Sequence, residues 1–238
     1  MSKYQKKWEQ IANVLRTQIQ TGTLKPGQEF PTNIDLMKTF DVHAGTIQQA
    51  VNALISEGLV ITYGGSARRT VYNPPSRSTR CCGFLSDAGK SGRQEIIEIK
   101  FIEKEDLLPE SARNHVETPA LLYKTLQWKD NIPVAISSSF LPQILPLDFM
   151  KKELSTGSVE LYELMKDNGF VPTTCRESLI AALPTVEEQE ILQLPNSTMP
   201  VVKIKRLVFD ARGNLLEYCL LIDRSDCYEF QYEFPMKS

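Results

Sequence analysis

The chain has 238 residues, 42% of them apolar and 24% charged, with a formal net charge of −2. That length gives one or two domains with cores of their own, and nothing in it approaches the ~18 consecutive apolar residues of a bilayer span. The charge is uneven: residues 1–80 carry ten Lys/Arg against five Asp/Glu, and the remaining 158 carry 17 against 24, so a polyanionic partner is expected for the head alone.

Trp8, Ile11, Ala12, Leu15 and Ile19 recur at helical spacing, which predicts an amphipathic helix over 4–20 ended by Gly22. Leu24-Lys25-Pro26-Gly27 is a turn. Thr32 caps a second helix, and Asp35, three residues on, completes a capping-box pattern. The core face of that helix is Ile34 or Leu36, with Met37 and Phe40. Asp41-Val42-His43 is a turn. A third helix over 44–57 buries Ile47, Ala50, Val51 and Leu54 and stops at Gly58. Leu59–Tyr63 alternates as a strand, Gly64-Gly65-Ser66 is a hairpin tip, and Arg68–Tyr72 is the return strand. Three helices and a two-stranded wing make a winged helix-turn-helix, whose third helix enters the major groove of DNA. Gln48 and Gln49 lie on its exposed face, and glutamine pairs bidentately with adenine. Thr32, Asn33 and Thr46 are candidate phosphate donors, and His43 stands at the helix entry. Arg68 and Arg69 either reach DNA from the wing or form a solvated strand end.

Asn73-Pro74-Pro75-Ser76-Arg77-Ser78-Thr79-Arg80 extends neither a helix nor a sheet easily and reads as a linker. The expected division is a DNA-binding domain over 1–73, a linker over 74–80 and an effector-binding, dimerising domain over 81–238. Beyond the linker, strands alternate with short helices: a strand at 96–101, a short helix at 109–115, a hairpin of 121–128 and 132–141 about Asp130-Asn131, and a helix over 158–168. A long strand at 173–183 follows. Thr185 caps a helix running to about Leu192. A second hairpin joins 201–209 and 215–222 about Arg212-Gly213-Asn214, and a last strand covers 228–234. This is an α+β pattern with an antiparallel sheet.

Residues 8–72 resemble the GntR family of bacterial repressors. The resemblance rests on Ile11, Leu15, Arg16, Gly22, Pro26-Gly27, Pro31-Thr32, Thr46, Ala50, Leu54 and Glu57-Gly58-Leu59. Residues 81–238 resemble UTRA, the effector domain of the HutC-type branch. There it rests on Pro133-Val134, Leu141-Pro142, Leu161-Tyr162, Gly169, Arg206, Gly213, Glu217 and Arg224-Ser225-Asp226. The resemblance implies a chorismate-lyase-like fold for the second domain, and a homodimer that binds double-stranded operator DNA and answers to a small-molecule effector. The chain departs from the family where it has Ile34, Ala44 and Gln48 in place of customary arginines. It departs again at Thr125 and Gln127, where relatives that bind sugar phosphates carry two arginines, and at Ser138, where an acidic residue is usual. The implied effector pocket gathers Thr125, Gln127, Ser138, Tyr162, Glu217 and Arg224, and should prefer a neutral or singly charged ligand. Glu217 is otherwise a solvent-facing strand residue, and Arg224 otherwise a structural partner of Asp226. The 86–93 loop, with Ser86, Lys90, Ser91 and Arg93, is a reserve source of donors.

The five cysteines are odd in number and lack a Cys-x-x-Cys spacing, and the histidines are only His43 and His115. Neither a disulfide framework nor a metal centre is expected. The start, Met1 to Trp8, has no signal-peptide core, so a cytoplasmic protein with no membrane partner is expected. No acid, base and nucleophile set suggests an enzyme, and no cofactor is expected. The resulting reading is a ligand-responsive regulator, a repressor by resemblance. Its alternative is a regulator whose head binds DNA weakly and works through protein contacts.

Overall fold

A computed structural model of the chain describes residues 6–62, 68–73, 77–79, 84, 89, 92–157, 159–195 and 198–232. They form two compact units, one of 1–75 with 183–199, the other of 76–182 with 200–238. The segment 183–199 thus groups with the head, which the linear division of the sequence does not contain. The hairpin tip at 64–66, Cys81, Cys82, Ser86, Lys90 and Ser91 lie outside the described residues.

In the first unit, α1 (Lys7–Gln20), α2 (Asn33–Phe40) and α3 (Ala44–Ser56) pack around Ile11, Leu15, Leu36, Ile47, Ala50, Val51 and Leu54, all buried. Each such Leu or Ile contributes about 1.5–3 kcal/mol of transfer free energy. The open choice on α2 resolves to Leu36, while Ile34 is 64% exposed. Thr32 caps α2, its hydroxyl accepting from Asp35 N at 3.2 Å and donating to the Asp35 carboxylate at 2.6 Å. The capping-box pattern therefore closes side chain to side chain. Asp41 ends α2 in the left-handed region, at φ 50°. The wing strands β1 (Val60–Thr62) and β2 (Arg69–Val71) are antiparallel, with Thr62 opposite Arg69. The 27–30 segment zips onto β2 through Gly27 N to Val71 O and Phe30 N to Arg69 O, 2.9 and 2.8 Å. That lays Arg69 beside the start of α2. Arg16 of α1 reaches the Glu57 carboxylate with Nε at 2.7 Å and Nη2 at 2.5 Å. The Thr198 hydroxyl donates to the Ser56 carbonyl at 2.8 Å, so the 183–199 segment meets the C-terminus of α3.

In the second unit, β3 (Ser78–Thr79) pairs in parallel with β10 (Tyr228–Glu229). Two expectations change here. The presumed linker donates a short strand, and the last strand covers 228–229 rather than 228–234, of which 233–234 lie outside the described residues. The linker's polar residues fit an extended backbone, which is all a two-residue ladder demands. The main sheet holds β4 (Gly92–Ile102), β5 (Ala120–Lys129), β6 (Ile132–Pro142), β7 (Thr174–Ala182), β8 (Val201–Phe209) and β9 (Leu215–Arg224). Their order is β4-β5-β6-β9-β8-β7, every neighbour antiparallel. Asp130 and Asn131 turn β5 into β6 with φ of 50° and 62°, the left-handed pair of a tight hairpin.

Short helices cover the sheet. α4 (Glu110–Arg113) lies with the face of Leu122, Phe140 and Tyr218. The other face packs Leu121, Tyr123 and Leu141 against α5 (Leu147–Leu154) and α6 (Leu161–Asp167). The sequence pattern had not signalled α5, which buries only Met150 and Leu154 in eight residues. Following β7 in the chain but grouped with the first unit, α7 (Val186–Ile191) carries the expected cap: Glu188 N to Thr185 Oγ1 and Thr185 N to Glu188 Oε2, 3.1 and 2.9 Å.

Candidate functional sites: an amide ladder on the head and a polar cavity in the body

On the head, burying Ile47, Ala50, Val51 and Leu54 turns Gln48, Gln49 and Asn52 outward. The side chains of three elements join there. Arg69 Nη1 donates to Asn33 Oδ1 at 2.6 Å, Asn33 Nδ2 to Gln48 Oε1 at 3.1 Å, and Gln48 Nε2 to Asn52 Oδ1 at 2.8 Å. Both ends of the Gln48 amide are therefore engaged, and pairing with a base requires exchanging those bonds. Sequence reasoning missed Asn52. Its signal was the spacing of four from Gln48, which puts both on one helix face. A groove beside this ladder is lined by Phe30, Thr32, Asn33, Ile34, Arg68 and Arg69. His43 is exposed at the N-cap of α3 with no capping bond from its side chain, and Thr46 lies one turn inside the helix.

In the body, strand alternation decides which residues meet. On the face under α5 and α6, β5 presents Tyr123, Thr125 and Gln127, β6 presents Ser137 and Ser139, and β9 presents Glu217, Cys219 and Leu221. These side chains line one cavity with Tyr162 of α6 and Arg206 of β8. Of the expected pocket residues, Thr125, Gln127, Tyr162 and Glu217 are brought together. Ser138 is not: it lies opposite Lys124 and Leu220, on the other face. A shift of one residue along a strand reverses the face, and Ser137 and Ser139 take its place. Arg224 is not brought in either. It is buried and paired with Asp226, with Nη2 to Oδ2 at 2.8 Å and Nε to Oδ1 at 3.1 Å. The arginine of the cavity is Arg206, a residue that carried the family resemblance but had not been placed in the pocket.

Glu217 is only 3% exposed. Ser139 Oγ donates to its Oε1 at 2.5 Å and the Tyr162 hydroxyl to its Oε2 at 2.6 Å. Arg206 lies opposite Glu177 in the β7–β8 ladder and places both Nε and Nη2 2.6 Å from Glu177 Oε1. Burial opposes the Arg206 charge, but Tyr162, Glu177 and Glu217 outweigh it and raise its pKa. Burial first, and the Glu217 charge second, hold the Tyr162 phenol well above its ordinary pKa of 10. The same two causes push the buried Cys219 thiol up to about 12. The Tyr123 hydroxyl and Gln127 Oε1 are buried with no protein partner among the described residues. With Glu160 also at the wall, the lining sets two carboxylates against one guanidinium that Glu177 already holds.

The sequence matches the bacterial regulatory proteins of the gntR family over residues 7–69 and the UTRA domain over residues 87–229. The chain belongs to the UTRA-bearing GntR family. It is a transcriptional regulator of that family, with a DNA-binding head and an effector domain. It is 26% identical over 231 residues to the HTH-type transcriptional repressor NagR of Bacillus subtilis, covering 93% of this chain and 91% of that one. It is 23% identical over 235 residues to the mannosyl-D-glycerate transport/metabolism system repressor MngR of Escherichia coli, covering 97% of each. The fold is that of PhnF from Mycobacterium smegmatis, with a TM-score of 0.57 at 19% identity over 95% of this chain and 100% of that one. Among the described residues, no helix is long and apolar enough to cross a membrane.

Proposed function

We propose that this regulator works in the cytoplasm as a homodimeric repressor and not as an enzyme, and that its effector is neutral and rich in hydroxyl groups. Each head sets α3 in a major groove, with Gln48, Gln49 and Asn52 toward the bases and Thr32, Thr46, Arg68 and Arg69 toward phosphates. The effector favours one arrangement of the two heads over another by binding it more tightly, and so moves the population on or off the operator.

The observation that carries the effector reading is the charge of the cavity wall. A phosphate needs charge-assisted donors, yet Thr125 and Gln127 are neutral, Arg206 is committed to Glu177, and Glu217 and Glu160 repel an anion. Sugar hydroxyls suit these walls, since they accept from serine and tyrosine and donate to Glu217 and Gln127. The test is thermal stabilisation of the full chain by hexose phosphates and by the unphosphorylated hexoses at equal concentration, because a tighter ligand raises the melting temperature more. Selective stabilisation by the phosphates overturns the reading.

A second reading has its own support: Ile34 is an exposed apolar side chain on the head and Ala44 enters the recognition helix without charge. A head built for protein contacts shows a shallow dependence of DNA affinity on salt and enriches no site from random duplexes. A reader of operators shows a steep dependence and an enriched site.

A further inference from the structure

Tyr162 stands in two walls at once. On one side is the polar cavity, whose volume of about 50 Å³ holds only a few non-hydrogen atoms. On the other is a groove of about 280 Å³ lined by Tyr162, Lys166, Pro172, Thr173, Thr174, Cys175 and Val208. The first is too small for a hexose and the second approaches the ~300 Å³ at which small-molecule pockets begin. Their chemistry differs. The cavity offers Glu217, Ser139, Gln127 and the Tyr123 hydroxyl, the last two with buried atoms that lack a protein partner among the described residues. The groove offers a proline ring, threonine methyls, a valine, a thiol and the stem of a lysine.

We propose that the effector has two parts, a hydroxylated head in the polar cavity and an apolar tail in the neighbouring groove, and that Tyr162 is the partition that yields to admit it. This rests on the reading of a neutral, hydroxyl-rich effector and adds the tail. The exchange at the partition is nearly balanced. Glu217 Oε2 gives up the Tyr162 hydroxyl and accepts a hydroxyl of the ligand, keeping the same number of charge-assisted bonds. The same ligand head meets the Tyr123 hydroxyl and Gln127 Oε1. Rotation of the ring from between the two spaces joins them, and the tail then lies along Pro172 and Val208. Tyr162 sits in the first turn of α6, a seven-residue helix, and is half-buried at the edge of the core under the helices rather than inside it.

The experiment uses the full chain and matched probes: the methyl and p-nitrophenyl glycosides of glucose, galactose, mannose and N-acetylglucosamine, titrated by calorimetry. The expected result is at least one sugar whose p-nitrophenyl glycoside binds tenfold or more tighter than its methyl glycoside. In Cys175→Trp, where an indole fills the groove from an exposed strand position, that ratio falls to near one. Thr173→Trp, which lies before the strand, does the same should the first variant fail to fold. Equal affinities for the two glycosides of every sugar that binds overturn the tail and leave the neutral effector standing. An aryl advantage that survives both tryptophan variants also overturns the tail groove. Binding of hexose phosphates, with no binding by any glycoside, overturns the proposal together with the reading beneath it.

Discussion

The head and the body both offer polar side chains to a ligand, but they hold them in opposite ways. On the head, Arg69, Asn33, Gln48 and Asn52 lie at the surface, each engaged by the next. In the body, Glu217, Gln127, Tyr123 and Thr125 are buried, and the Tyr123 hydroxyl and Gln127 Oε1 find no protein partner among the described residues. Water satisfies an exposed amide whenever DNA is absent, so the ladder costs little to keep and little to rearrange. A buried polar group has no such reserve and must be matched by protein or ligand, at about 1–3 kcal/mol when it is not. The head is therefore built to tolerate change in what it reads, and the body to be exacting.

The sharpest way to break this contrast is to remove the cation of the cavity. In Arg206→Met, Glu177 loses both donors and Glu217 loses its nearby positive charge. Breaking a buried pair costs about 3–5 kcal/mol; Glu177 keeps some solvent access, so the expected loss is about 3 kcal/mol. The two tryptophans divide between the regions, Trp8 in the head and Trp128 in the body. Urea unfolding of Trp8→Phe therefore reports the body, and its midpoint should fall steeply with the Arg206 change. An unchanged midpoint would mean that the pair contributes nothing net.

Alkaline pH is the next lever. Tyr162 holds its proton well above pH 10 and Cys219 to about pH 12, while the unfolded chain releases them near 10 and 9. The native state binds more protons in that window, so stability is intact below pH 9 and declines as pH rises, by up to about 1.4 kcal/mol per pH unit for each group. The Trp128 urea midpoint, followed from pH 8 to 11, should fall, and Tyr162→Phe should flatten the slope. A slope equal in both proteins would detach Tyr162 from the effect.

Most of the head was legible in the sequence because its signals are local. Thr32, Gly58 and the spacing of Ile47, Ala50, Val51 and Leu54 each act within a few residues, and α2, α3 and the wing follow from them. Most of the body's strands were legible for the same reason, as Asp130-Asn131 illustrates, and so was the Thr185-x-x-Glu188 cap in the segment that groups with the head. The cavity was legible only in part. Thr125, Gln127 and Glu217 share one face by strand alternation, whereas Ser138 lies on the other because the face of β6 depends on its register with β5 and β9. Arg206 comes beside Glu217 through the β8–β9 hairpin, whose turn was legible at Arg212-Gly213-Asn214 but whose register was not, whereas the pairing of Arg224 with Asp226 was visible two residues away.

That failure supplies a finer test. Ser139→Ala removes a donor from Glu217, and Ser138→Ala removes a hydroxyl from the opposite face. In the proposed complex a ligand hydroxyl accepts from Ser139, and a neutral hydrogen bond of that kind is worth about 0.5–1.5 kcal/mol, so effector affinity should drop roughly two- to tenfold with Ser139→Ala. It should stay within twofold with Ser138→Ala. Titration with whichever glycoside binds the parent chain reads both. A larger effect at Ser138 would place the effector on the other side of the sheet.

The smallest expected effects separate the two wing arginines. Arg69 donates to Asn33 and through it orients the Gln48 amide, whereas Arg68 is exposed at the groove edge beside Thr32 and Asn33. Losing a phosphate contact lowers the salt slope by roughly one and weakens all sequences alike. Arg68→Ala should do that and leave base preference intact. Arg69→Ala should lower the slope and also relax preference at the base pair that Gln48 meets, because the ladder loses its anchor. Binding to an operator selected from random duplexes, and to its single-base variants at several salt concentrations, distinguishes the two. If both variants change only the slope, the ladder is a surface ornament of the free head, and Gln48 reads its base without help from the wing.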